Sequence, residues 1–363
     1  MLKAVICETA YQMFNALNIV INDKDNIYDI YIGTYHEELL KYSSNLSLII
    51  NIRNVFYFDS SSKKQYRIVH KVQRVIDYFF PRLSLHLLTQ DYKKTKKIKY
   101  DIVFIATPNP YMVNFLFCHN EAMVYFYEDG TGSYHGKIGE NISTSISKFC
   151  EKIFKRGPSL ILPQKIYLYN PEISNNTYGS IIEKIYPYTY YCNEEEKNRF
   201  ERIFCVNNEI KYEDYDFVYL GQAYSAESYC YQERKILELM SELSCNTLIR
   251  PHPDSDYSEY DNLFPIDTEL NQWEIICGSE IDTKSILIAT YSTAQLIPKN
   301  IFDKEPYVIF TFLLYNGCFS KEQKKEISIN IKKFEESYLK ENRIFVPTSM
   351  GELKMIIKKL INH

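Results

Sequence analysis

Short runs of β-branched and aromatic residues alternate along this chain with longer stretches of helical spacing, and the alternation restarts midway. In the first half "KAVIC" (3–7), "IYDIYIG" (27–33), "NVFYFD" (54–59), "YDIVFIAT" (100–107) and "MVYFYEDG" (123–130) predict strands. Helical spacing fills segments between them, such as 11–20 and 66–80. In the second half "DFVYLGQ" (216–222), "NTLIRPHP" (246–253), "WEIIC" (273–277), "SILIATYST" (285–293), "YVIFTF" (307–312) and "RIFVP" (343–347) predict strands, with a helix expected over 228–244. Strand-then-helix repetition builds a parallel sheet covered by helices on both faces. The expected fold class is therefore α/β, as two successive Rossmann-like units.

A length of 363 residues suits two domains of roughly 150 to 200 residues each. The boundary is expected near 205–215, giving domains 1–210 and 211–363. A helix just before it opens with Asn193 and Glu196 at capping-box spacing. The formal charge of −4 argues against nucleic acid as the main partner. The nine cysteines include no CxxC pair, which points to reduced thiols rather than a disulfide framework or a zinc site. The N-terminus lacks a signal-peptide layout, and no apolar run approaches the roughly 20 residues needed to cross a bilayer. The expected location is cytoplasmic.

Ligand loops in open α/β sheets lie at the carboxyl ends of strands. Four polar clusters fall at such ends: "ETAYQ" (8–12), "EDGTGS" (128–133), "RPHPDS" (250–255) and "YSTAQ" (291–295). In the second cluster Glu128 and Asp129 precede Gly130 and Gly132, in a chain with only 11 glycines. Glycine leaves the approach to a carboxylate open, and Asp129 at hydrogen-bond distance from a sugar hydroxyl can take its proton. The plain alternative is an ordinary polar turn. His252 sits between two prolines, which hold the backbone stiff, and an imidazole can donate a proton to a departing phosphate. Arg250 adds permanent charge beside it; a structural loop histidine is the alternative. Ser292 and Thr293 stand where a helix is expected to begin, and helix N-termini hold phosphate. The same hydroxyls could instead simply cap it. The chain has neither a Walker loop nor a GxGxxG run. Together a base, an acid and a phosphate cradle describe sugar transfer from an activated donor.

At these residues the chain resembles the bacterial sialyltransferases of glycosyltransferase family 52. The resemblance rests on Glu128-Asp129-Gly130-Thr131-Gly132, His252-Pro253, Ser292-Thr293-Ala294 and "CETAYQM" near the N-terminus, and spans roughly residues 3 to 312. It implies a GT-B architecture, two Rossmann-like domains with parallel sheets facing a central cleft. It also implies metal-independent, inverting transfer of sialic acid from CMP-sialic acid to a galactose-terminated capsular or lipo-oligosaccharide glycan, with an α2,3 bond expected. Asp129 would be the base, with Glu128 and Glu227 in reserve, and His252 the partner of the leaving phosphate. Ser292 and Thr293 would hold that phosphate. Gly221, Arg250 and Glu274 would border the nucleoside, with Thr9, Gln12, Gly130 and Pro253 also at the donor. The family's base loop reads "LGQAYSAES" here, with Tyr224 near the expected acid. No cofactor beyond the donor is expected. The alternatives are a GT-B glycosyltransferase using another nucleotide sugar and a non-catalytic glycan-binding protein.

"DKD" (23–25), "DYD" (214–216) and "DSD" (254–256) mimic metal-binding acid pairs, but read as solvated turns. Residues 63–99 carry 11 Lys and Arg against Asp77 and Asp91. That stretch is either a solvated basic face or a dock for an anionic membrane or charged acceptor, which leaves peripheral contact with the inner membrane face open. The tail spaces Leu353, Ile356, Ile357 and Leu360 helically and is expected to pack against a domain. A homodimer is left open.

Overall fold

The structure, a computed structural model, describes the chain except residues 36, 61–76, 78, 135–150, 154, 156, 175–177, 188–193, 208, 224, 225, 253, 254, 256–259, 261 and 363. It forms two compact units, Met1–Cys205 and Val206–His363.

The first unit is built on strands β1 (Leu2–Cys7), β2 (Ile27–Gly33), β3 (Ile52–Phe58), β4 (Ile102–Ile105), β5 (Met123–Tyr127), β6 (Lys165–Leu168) and β7 (Ile181–Lys184). All neighbours pair in parallel, in the order β3-β2-β1-β4-β5-β6-β7. Central strands are covered on both faces, which is why they read as unbroken apolar runs: β4 is buried at every residue and β1 from residue 3 onward. Two strands were not expected from the sequence. β6 and β7 are only four residues long, and β7, at the sheet edge, is exposed or half-buried throughout. An edge strand that buries little carries little apolar signal. The helix expected over 66–80 falls largely outside the described residues, as does Asn193, although a helix at Glu194–Ile203 is present.

The second unit holds β8 (Phe217–Leu220), β9 (Thr247–Arg250), β10 (Ile286–Ala289), β11 (Tyr307–Phe310) and β12 (Ile344–Phe345), all parallel, in the order β12-β11-β10-β8-β9. The helix after β8, Glu227–Glu242, buries Ile236, Leu237 and Met240 in the core. "WEIIC" is not a strand: Trp273–Ser279 is a helix, with residues 273–277 all buried. A five-residue apolar run buried on all sides has no period by which helix and strand differ. The tail helix Met350–Ile361 places Leu353, Ile357 and Leu360 in the same core as Phe217 and Ile288. Among the described residues no helix is long and apolar enough to cross a membrane.

Candidate active site

In each unit the strand order reverses once, and there the loops at the carboxyl edge diverge and leave a crevice. In the first unit the reversal lies between β1 and β4. The loop after β1 carries Glu8 and Thr9, the loop after β4 carries Thr107, and the adjoining loop after β5 carries Glu128 and Asp129. Thr107 donates its hydroxyl hydrogen to Asp129 Oδ2, and the Asp129 N–H donates to Ser133 Oγ at 2.8 Å. Burial pushes the thiol of Cys7, the last residue of β1, up to about 12, and the charges of Asp129 and Glu8 add to that rise. Two carboxylates therefore lie beside the end of β1, and Asp129 is half-buried.

Glu128 plays a different part. Its side chain is buried and accepts from the Tyr11 hydroxyl at 2.9 Å, the Tyr134 hydroxyl and the Tyr169 N–H at 3.0 Å. Asn15 Nδ2 donates to its carbonyl at 3.0 Å. These bonds tie the loop after β5 to the first helix and to the end of β6, so Glu128 anchors the loop while Asp129 is left at the crevice. Gly130 completes the turn at φ +88°, a left-handed conformation that glycine adopts without strain. A Cβ there would meet no atom within 4 Å, so the backbone and not space demands the glycine.

Burial pushes the Glu128 carboxyl up from 4.5 to about 7, against the opposing pull of Tyr134, Tyr169 and Tyr11. The folded state thus holds this proton more tightly than the unfolded chain does. The stability it contributes is full below pH 4.5 and is lost as pH rises through 7. The difference in unfolding free energy between wild type and Glu128→Gln, followed by urea titration, is expected to fall across that window and to be flat above it. A difference independent of pH would show that Glu128 titrates normally.

In the second unit the reversal lies between β8 and β10. Gly221 and Gln222 follow β8, Thr290 to Thr293 follow β10, and His252 follows the neighbouring β9. The Ser255 hydroxyl donates to the Gln222 carbonyl at 3.0 Å, and the Ser255 N–H to the His252 carbonyl, so the His252 loop is bound to the loop after β8. His252 is half-buried.

Several expected ligand contacts are already engaged within the protein. The Arg250 guanidinium donates to Asp267 Oδ2 at 2.8 Å, the Tyr212 hydroxyl at 2.7 Å and the Asn271 carbonyl at 2.5 Å, and lies 5.2 Å from the Trp273 ring centroid. The Asp267 carboxylate balances its charge. Glu274 is in the first turn of the helix at 273–279 rather than at a strand start, is buried, and accepts from Gln272 Nε2. Burial raises its pKa. The Gly221 N–H donates to the Arg250 carbonyl at 2.9 Å. Ser292 and Gln295 form a capping box on a three-residue 3-10 turn. The helix beyond that turn, Ile297–Phe302, is separate and short, so the Ser292 hydroxyl caps the turn rather than that helix; Thr293 on the turn is exposed. Thr9 caps the first helix by accepting from the Gln12 N–H at 3.1 Å, while Gln12 Oε1 accepts from the Glu8 N–H at 2.8 Å. Glu227 is exposed in the first turn of its helix. Pro253 and Tyr224 lie outside the described residues. The residues that sequence reasoning missed are Thr107, Glu8 and the tyrosines around Glu128. The signal for the first two was available, since Glu8 directly follows the predicted strand 3–7 and Thr107 ends the predicted strand 100–107.

No family model matches the chain, and no curated protein matches it. Solved structures do resemble it. The S. aureus MnaA-UDP co-structure shares 12% identity over 100% of this chain and 88% of that one, with a TM-score of 0.51. The spinosyn forosaminyltransferase SpnP shares 10% over 100% and 90%, with a TM-score of 0.53. A UDP-N-acetylglucosamine 2-epimerase shares 9% over 99% and 86%, with a TM-score of 0.53. At such identities the likeness is one of fold: the chain has the GT-B fold of two Rossmann-like domains. It also corrects the sialyltransferase resemblance. The fold aligns with a glycosyltransferase, a UDP co-structure and a UDP-sugar epimerase, so family 52 membership, sialyl transfer and CMP-sialic acid as partner are not upheld.

Proposed function

We propose that the chain is a nucleotide-sugar enzyme whose donor is a UDP-sugar and whose reaction is transfer of the sugar to an acceptor hydroxyl. The observation that carries this reading is Asp129, half-buried at the reversal of strand order and oriented by Thr107, on a GT-B fold. A carboxylate so held can accept the hydroxyl's proton as the bond to the anomeric carbon forms. Within the second unit, His252, two residues beyond β9, is the side chain suited to hydrogen-bond a phosphate. A second reading is favoured by two of the similar structures, MnaA with UDP and a UDP-N-acetylglucosamine 2-epimerase: inversion at C2 of a UDP-sugar, with the same carboxylate moving the proton.

One incubation series separates these readings. UDP-glucose, UDP-galactose, UDP-N-acetylglucosamine and CMP-sialic acid are each supplied with and without a glycan acceptor. Nucleotide release and the sugar configuration are then followed by NMR. Acceptor-dependent UDP release supports transfer; a C2 isomer formed without acceptor supports epimerisation. UDP present at 100 times its Kd is expected to stabilise the fold by about 2.7 kcal/mol, read as a rise in Tm. No UDP or UDP-sugar binding at millimolar concentration would overturn both readings.

A further inference from the structure

The basic stretch before residue 100 takes no part in the proposed reaction, yet its described portion frames a recess in the first unit. Arg82, Tyr92, Lys96 and His119 line it together with Leu85 and Phe115, around a cavity of about 400 Å³. No carboxylate is among its described lining residues. Nearby, Lys94 pairs with Asp91 and Lys99 with Glu121, whereas Arg82 and Lys96 make no ion pair among the described residues. Burial pushes the His119 imidazole down to about 4, so it is neutral at pH 7, with its ring packed 4.4 Å from Phe115 and 5.3 Å from Tyr100. The recess therefore carries two positive charges, one as a planar fork and one as a point. Tyr100 and His119 precede β4 and β5, so this wall lies at the amino ends of those strands, the edge opposite Asp129.

We infer that this recess is a second binding site, for a phosphate group carried on a less polar body, distinct from the site of the proposed reaction. A phosphomonoester bears about −1.5 to −2 charges at pH 7, which matches Arg82 and Lys96 together. Arginine's fork meets two phosphate oxygens at once, and lysine supplies a compact charge. A cavity of this size is in the range of small-molecule sites, about 300 to 1,000 Å³, and leaves Leu85 and Phe115 to cover carbon beyond the phosphate. The ligand's source is either a free sugar phosphate or a lipid headgroup; Leu83 and Leu87, 45% and 57% exposed on the same helix, would suit the latter.

The test uses the full chain, titrated with inorganic phosphate, with glucose 6-phosphate, and with phosphatidylcholine vesicles with and without phosphatidic acid; citrate is the carboxylate control. Binding in at least one phosphate arm is expected, and that arm names the source. Both cations are exposed, so Arg82→Gln/Lys96→Gln should fold. It should weaken that binding about tenfold or more, as loss of charge-assisted hydrogen bonds does. UDP affinity, measured on the same variant, should stay unchanged. Binding no stronger than citrate in every arm, an unaffected double variant, or displacement of the phosphate ligand by UDP would each overturn the inference.

Discussion

Asp129→Asn is expected to cut turnover of a UDP-sugar by about 10²–10⁴-fold, the contribution of a positioned general base. The substitution is nearly isosteric. An asparagine carbonyl can still accept from Thr107, and the bond to Ser133 comes from the backbone, so the loop should keep its shape. What disappears is the ability to take a proton. UDP affinity by calorimetry should therefore stay within a few-fold of wild type while kcat falls. A near-wild-type rate would remove Asp129 from the mechanism and leave Glu8, at the same edge, as the carboxylate to examine. Glu128→Gln separates the neighbouring roles. Its carboxyl is enclosed by Tyr11, Tyr134 and the Tyr169 N–H, so the change should act mainly on stability and its pH dependence.

Arg250→Met should strongly destabilise the second unit. The Arg250 and Asp267 side chains are only 12% and 1% exposed. Removing the cation leaves Asp267 with the Tyr212 hydroxyl and the Glu269 and Leu270 N–H groups but no counter-charge. Breaking a buried pair from one side costs about 3–5 kcal/mol. For a domain of this size that corresponds to a fall in Tm of roughly 6–20 °C. The double change Arg250→Met/Asp267→Asn should recover much of the loss, since it removes the stranded charge as well. A loss below about 1 kcal/mol would show the pair to be no stronger than a surface one. Thermal and urea unfolding measure both.

The placement of the polar loops at strand ends was largely legible. Parallel strands buried on both faces must be written as apolar runs, and their loops must emerge at the carboxyl ends, so "EDGTGS" and "YSTAQ" could be assigned to ligand edges before any coordinates. β6, β7 and "WEIIC" were not legible, because two strands were too short or too exposed and one helix too uniformly buried to carry a period. The donor assignment failed for another reason. Short motifs such as His252-Pro253 and Ser292-Thr293-Ala294 recur wherever a strand ends in a polar turn, and the resemblance they carried did not survive comparison of the whole fold.

Local pattern, then, determined the α/β class, the restart in the second half and the loops on which polar residues stand, because hydrophobic period and turn chemistry act between near neighbours in the chain. Tertiary structure alone decided which polar groups remain available. Glu128 is closed off by tyrosines from three separate segments, and Arg250 is ion-paired with an aspartate 17 residues on and hydrogen-bonded to a tyrosine 38 residues back. Burial and hydrogen bonding are set by what packs across space, and that distance is invisible along the chain.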